Sequence, residues 1–312
     1  MISLISVLHR KFSRAAEIYK TQGLGAMSVR ASGLLQSVAK RMPFWIHGAA
    51  ARWNYQLSRC VINAFSGASY SDAADSQQQK LKSDFVRDHY VVLDNFLSEA
   101  DALALGKRCL DAINSEKNVL RFATQTSKPS NVVLQSSVPD DYYTKQVHML
   151  GHPSRAVPAL MDEVIKPHRP FFEAALQTYF RVENLVVYET RNNGQPTYNL
   201  NSRAHTDDDP PTFVKLMVYL TDVDASNGPF TVVDKDTGAR KPIYGKAGTA
   251  VLFRQNLVLH EASNTVSRTR MAAFFILMPS FYRATNVNCD FWANTPYRKY
   301  PFFPVFNRTK KP

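Results

Sequence analysis

Cysteine is scarce in this chain of 312 residues: there are three, Cys60, Cys109 and Cys289, widely separated and without a CxxC spacing. An odd, scattered set argues against a disulfide framework and against a zinc ribbon, and it fits a reducing compartment in which each thiol serves as a small buried hydrophobe. Long apolar runs are also missing. The longest uncharged one covers residues 271–279, too short to cross a bilayer as a helix. Acidic residues are nearly absent from the first sixty positions, where Glu17 stands against nine Lys and Arg. The formal charge of +12 is therefore largely local, because residues 61–312 hold 29 bases and 25 acids. The basic balance describes the N-terminal fifth and says little about the rest. With 45% hydrophobic and 21% charged residues, the chain is neither disordered throughout nor collagen-like.

What is present divides into three stretches. Residues 1–65 read as a basic amphipathic helical extension: Ile2, Leu4, Ile5, Val7 and Leu8 precede Arg10, Lys11 and Arg14, and Leu34, Leu35 and Val38 precede Lys40 and Arg41, with Trp45 and Trp53 beyond. Such helices can lie on an anionic membrane, so residues 1–60 are expected to make a peripheral membrane contact from the cytoplasmic side. An organelle-targeting segment has the same Arg- and Ser-rich, acid-poor composition, and helices packed on their own domain are a third reading. A secretory signal fits poorly, since the first apolar stretch is short and no base precedes it. Residues 66–84, rich in Ser, Ala, Gln and Asp, read as a linker.

Residues 85–312 read as one domain. A β-type run over 89–97 leads to Ser98, a helix N-cap with Asp101 at the third helical position, and Leu103, Leu105, Leu110 and Ile113 follow at helical spacing. A second helical stretch over 156–180 is interrupted by Pro167 and Pro170. From there the texture is β-rich, with runs at 185–188, 213–220, 229–233, 249–253, 257–260 and 271–278 separated by Gly, Asn, Asp and Pro. The expected fold class is α+β, mainly β: an antiparallel barrel or sandwich of roughly 100 residues with helices before it. The aromatic, Pro-rich tail over 283–312 is expected to form a C-terminal strap packed on that core.

The chemistry centres on His205-Thr206-Asp207. Residues i and i+2 of a strand point to one face, so both side chains can reach one ion. Alone, an HxD is more often a surface turn. His260 strengthens it, because the intervening strands can return a third donor beside the first two. Two imidazoles and a carboxylate leave open positions on an octahedral iron, the arrangement of non-haem Fe(II) sites that handle dioxygen; Zn(II) accepts the same donors with four-coordination. Arg270, ten residues beyond His260, opens a long apolar run. Its ordinary role is an edge salt bridge. Beside iron it would instead hold the far carboxylate of a keto-acid cosubstrate such as 2-oxoglutarate. Arg268 shares its parity and competes for that role.

These residues carry a resemblance. The segments NSRAHTDDDP (201–210), KLMVYLTDVDASNGPF (215–230), GTAVLFRQNLVLHEASN (248–264) and RTRMAAFFILM (268–278), with the start HYVVLDNFLSEADALAL (89–105), resemble the phytanoyl-CoA dioxygenase-like branch of the Fe(II)/2-oxoglutarate-dependent oxygenases over about residues 85–282. The resemblance implies a double-stranded β-helix (jelly-roll, cupin-like) core. It implies His205, Asp207 and His260 as iron ligands and as the catalytic set, and Arg270 as the 2-oxoglutarate anchor. Ser267, Asn264, Tyr188 and Thr190 would be further cosubstrate contacts, and O2 the oxidant. The implied function is a non-haem Fe(II)/2-oxoglutarate-dependent dioxygenase hydroxylating a small-molecule, lipid or glycolipid substrate; the competing reading is a catalytically silent β-helix binding protein. The sequence departs from the family pattern at Ala204, at TVVDKDTG (231–238) and at Arg254, which touches substrate and loop contacts and removes no ligand. Halogenating relatives lack the carboxylate ligand, so Asp207 favours hydroxylation or a related oxidation. Among other candidates, Asp208 and Asp209 read as a solvated loop and His148 and His152 as ordinary polar residues. Lys215 reads equally as an interior contact for an anionic substrate or as an exposed strand residue. No nucleic-acid partner is expected, because the excess charge sits in the extension and no recognition motif accompanies it.

Overall fold

A computed structural model of the chain describes residues 56, 76–115, 120–122, 132–134, 146–150, 153–191, 204–207, 212–262, 269–280 and 287–289. The expected extension over 1–65, position 56 apart, and the strap beyond residue 289 lie outside this set. The described strands are Tyr90–Leu93 (β1), Leu120–Phe122 (β2), Val132–Leu134 (β3), Gln146–Met149 (β4), Tyr179–Arg191 (β5), Val214–Tyr219 (β6), Phe230–Val233 (β7), Arg240–Ile243 (β8), Ala250–Phe253 (β9), His260–Ala262 (β10), Arg270–Ser280 (β11) and Val287–Cys289 (β12). The helices are Ser76–Asp88 (α1), Glu99–Ser115 (α2), Pro153–Ala156 (α3) and Arg169–Leu176 (α4), with a π-helical turn at Leu160–Ile165 between the last two. Among the described residues no helix is long and apolar enough to cross a membrane.

The strands form two sheets. The larger runs β1-β9-β6-β11-β5-β4-β2-β3, with β12 also on β5, and the smaller runs β10-β7-β8. Every pairing is antiparallel except that of β12 with β5. The two-residue period of a strand then sorts the side chains. On the larger sheet Leu185, Val187, Leu216, Val218, Leu252, Ala273 and Phe275 point to the helices and join Leu105, Ile113 and Phe172 in the main core. The alternate residues Met217, Tyr219, Val251, Phe253 and Ala272 point to the smaller sheet and pack with Phe230 and Ile243. Tyr219 ties the sheets together, donating its hydroxyl to Ile243 O (2.9 Å) and accepting from Phe230 N (3.2 Å); burial pushes that phenol up to about 12.

Local signals account for the helix placement. Ser98 Oγ accepts from Asp101 N (3.1 Å) and donates to Asp101 Oδ2 (2.6 Å), an N-cap arrangement whose loss costs about 1 kcal/mol. Ala102, Leu105, Gly106, Cys109 and Ile113 form the buried stripe of α2, while Leu103 lies on its outer face. A Cβ on Gly106 would sit 2.5 Å from Leu220 O, so glycine lets α2 lie close on the sheet. Cys109 is a buried hydrophobe, its thiol pushed up to about 12 by burial.

Three expectations shift. Helix α1 occupies part of the stretch read as linker; Phe85 and Leu81, four residues apart, pack it on the core, and three apolar residues in thirteen, one of them the exposed Val86, gave little periodicity to read. The run over 257–260 is not a strand that ends at His260: Leu257 N and Val258 N both bond Arg254 O in a turn (2.9 and 3.0 Å), and His260 opens β10 instead. The helical stretch over 156–180 is three short pieces, and β5 already begins at Tyr179.

Candidate metal centre

His205 and His260 face each other across a two-way backbone bridge, His205 N to His260 O and His260 N to His205 O, each 2.9 Å. Asp207 N bonds Gln255 O (2.9 Å), which holds the HxD segment beside the turn before β10. The segment is thus fixed by its backbone against the strand that carries the third donor. The imidazole centroids lie 4.5 Å apart. His205 Nε2 is 3.6 Å from Asp207 Oδ1, and His260 Nε2 is 4.0 Å from Asp207 Oδ2. One donor atom from each of the three residues lies within 4.8 Å of the others, a set that could share one ion.

His260 is oriented for ligation. Its Nδ1 lies 3.0 Å from Val258 O. A carbonyl only accepts, so Nδ1 carries the proton and Nε2 presents its lone pair to the site. The ring is packed by Phe230 and Phe253, at centroid distances of 5.4 and 5.1 Å. Burial, then the Lys215 ammonium, pulls its pKa down to about 4 despite Asp207. Burial alone would raise Asp207, but Lys215, His260 and His205 together outweigh it and hold the carboxyl below its ordinary value. Both donors are therefore in their ligating forms at neutral pH.

The triad opens into a cavity of about 140 Å³ whose lining includes Tyr188, Met217, Phe253, Arg270, Phe274 and Ile276. Arg270 lines it from the first residue of β11, paired with Thr190 on β5. Arg270 is 3% exposed, and its Nε and Thr190 Oγ1 are both buried without a hydrogen-bond partner. Two unpartnered polar atoms on paired positions mark a place for a polar ligand. Tyr188 stacks on Phe274 at 4.8 Å; burial raises its pKa, with Arg270 opposing and Asp207 adding.

The structure therefore gathers His205, Asp207, His260, Arg270 and Tyr188 around one cavity, with Thr190 paired to Arg270 on the neighbouring strand. Asn264, Ser267 and Arg268 lie outside the described residues, as do Asp208, Asp209 and His152 and the side chain of His148. Arg254 turns away from the site and lies over the Phe85 ring at 5.3 Å. Lys215, which the sequence left open, faces inward: its Nζ meets Asp207 Oδ2 at 2.5 Å and lies 5.7 and 5.9 Å from the Phe253 and Phe274 rings. Its alternation with Met217 and Tyr219 was the available signal. Asn184 went unnoticed; it lines the cavity beside a register shift between β5 and β11.

No family model matches the chain, and no curated protein matches it. Among solved structures, the non-heme alpha ketoglutarate dependent epimerase SnoN from nogalamycin biosynthesis aligns with 68% of this chain and 87% of that one, at 18% identity and a TM-score of 0.49. EctD from S. alaskensis, solved with 2-oxoglutarate and 5-hydroxyectoine, aligns with 67% of this chain and 78% of that one (16% identity, TM-score 0.44). A Pseudomonas putida prolyl-4-hydroxylase aligns with 65% and 98% respectively (16% identity, TM-score 0.40). With these TM-scores below 0.5, the functional reading rests on the site's own geometry.

Proposed function

We propose that this chain is a non-haem Fe(II)/2-oxoglutarate-dependent dioxygenase of the phytanoyl-CoA dioxygenase-like kind, built on a double-stranded β-helix and hydroxylating a small-molecule, lipid or glycolipid substrate. One observation carries the reading: a His-Asp-His donor set shares a cavity with Arg270, whose Nε, like Thr190 Oγ1 on the paired position, is buried and unpartnered. The donor chemistry fits a divalent first-row metal with open positions. The guanidinium and hydroxyl fit a carboxylate, which accepts from both. Iron, 2-oxoglutarate and dioxygen bound together supply an oxidant able to put oxygen into an unactivated C–H bond.

The chain's own residues do the rest. His205, Asp207 and His260 would hold the metal, His260 with its ring fixed through Val258 O. Arg270 and Thr190 would hold the far carboxylate of the cosubstrate, with Tyr188 beside them. Phe253, Phe274 and Met217 keep the cavity apolar and limit water. The contact of Lys215 with Asp207 favours one other reading, a catalytically silent binding protein whose carboxylate is satisfied without metal. Succinate release in air with Fe(II) and 2-oxoglutarate separates the two: an oxygenase turns over slowly even without substrate and loses turnover in Asp207→Ala, and a silent protein releases none. The basic, apolar extension over residues 1–60 supports a reversible docking of the enzyme on an anionic membrane surface.

A further inference from the structure

The oxygenase reading leaves one end of the cavity without a task. Arg270 stands at the start of β11, paired with Thr190 near the end of β5. Six residues further along β11, roughly 20 Å at the usual rise, Ile276 pairs with Asn184 on one side and with Lys215 on the other. All three line the cavity. Asn184 is 8% exposed, and its Oδ1 is buried without a hydrogen-bond partner. The register of β5 against β11 shifts beside it, between Ile276 and Leu277; such irregularities re-aim side chains near active sites. An apolar substrate would not need a second polar end of this kind.

The charges point the same way. In a loaded site, Arg270 would be balanced by the far carboxylate of 2-oxoglutarate, and Asp207 with the remaining cosubstrate charge would balance a divalent metal. Lys215 is then the one cation among the described lining residues that has no counter-charge of its own. It shares Asp207 with the metal, and an ammonium has three protons, so donors remain for a ligand. A largely buried cation of this kind favours an anionic partner.

We propose that Lys215 anchors the anionic group, a carboxylate or a phosphate, of an acidic small-molecule substrate. The body of that substrate would lie against Met217, Phe274 and Ile276, and Asn184 Oδ1 would be open to a hydroxyl or amine on it. This rests on the oxygenase reading and narrows its substrate class.

The test uses the full chain, anaerobic and saturated with Fe(II) and 2-oxoglutarate, so that Arg270 is occupied. Hexanoate, hexyl phosphate, hexan-1-ol and hexylamine are titrated by calorimetry while the metal-to-cosubstrate charge-transfer band is followed. At least one of the two anions should bind ten-fold or more tightly than the alcohol and the amine, with the band retained. Lys215→Arg should keep that preference, and Lys215→Met, checked for bound iron, should lose it. The alcohol or amine binding as well as both anions in the wild-type protein overturns the proposal without recourse to any variant. So does bleaching of the band by the anions, which would put them at Arg270, and so does a preference that survives Lys215→Met. A wild-type protein with no band before any ligand is added fails at the oxygenase reading itself, and the proposal falls with it.

Discussion

Replacing Arg270 with Met should make the metal-free protein more stable and the loaded protein unable to hold its cosubstrate. The side chain is 3% exposed, its Nε is unpartnered, and no described carboxylate forms an ion pair with it. A buried charge held this way costs desolvation with little in return. Exchanging buried ionic groups for an apolar side chain of similar volume is commonly neutral or stabilising, by about 1–4 kcal/mol. On binding, one charge-assisted pair is removed, a loss of roughly 2–5 kcal/mol, or about 30- to 4,000-fold in Kd. Thr190→Val should act in the same two directions with smaller size, since a buried unpaired hydroxyl costs roughly 1–3 kcal/mol. Urea denaturation in a chelator gives the first quantity, and anaerobic 2-oxoglutarate titration of the iron-loaded protein gives the second. A destabilised Arg270→Met that still binds 2-oxoglutarate normally would refute the reasoning and make the guanidinium a structural group.

His260 has a folded pKa near 4 against an ordinary 6.5, so the folded state holds fewer protons between those values. Its contribution to the metal-free protein is complete above pH 6.5 and is lost as pH falls toward 4, about 3 kcal/mol in all. Urea midpoints at pH 7.5 and 4.5 should show this slope, and His260→Gln should flatten it; an unchanged slope assigns the effect elsewhere. Gly248 has φ 94°, and a Cβ there would lie 2.3 Å from Leu97 O, so Gly248→Ala should lose roughly 2–4 kcal/mol by denaturant midpoint. Full-length protein should bind anionic liposomes and release as salt rises, while a chain starting at Ser66 should not bind; equal binding by both places the contact outside residues 1–60.

The site was legible where chemistry and spacing coincide. The HxD, the return of His260 and the arginine ten residues on needed no tertiary knowledge beyond strands that bring them together. β-type apolar runs likewise exposed β6, β9 and β11, and Ser98 with Asp101 exposed the start of α2. Residues that break the apolar pattern yet are buried hid the rest. The run of β5 is interrupted by Arg181 and Glu183, which neutralise each other inside at 2.7 Å, so only 185–188 read as strand. The edge strand β8 offers one buried residue in four, Ile243, and was missed. His260 looked like a strand end because the turn over Arg254, Gln255 and Asn256 is flanked by apolar residues on both sides. The salt bridge of Lys215 to Asp207 and the unpartnered state of Asn184, Thr190 and Arg270 depend on neighbours distant in sequence, which no local pattern encodes.

The measurement that bears most directly on the account is an anaerobic titration of Fe(II) into the full-length protein with 2-oxoglutarate present, read at the visible charge-transfer band and by bound metal. The account predicts a band that saturates at one iron per chain, is absent without 2-oxoglutarate, and disappears together with the bound iron in Asp207→Ala. Iron that fails to bind, or that binds equally well in Asp207→Ala, would contradict it.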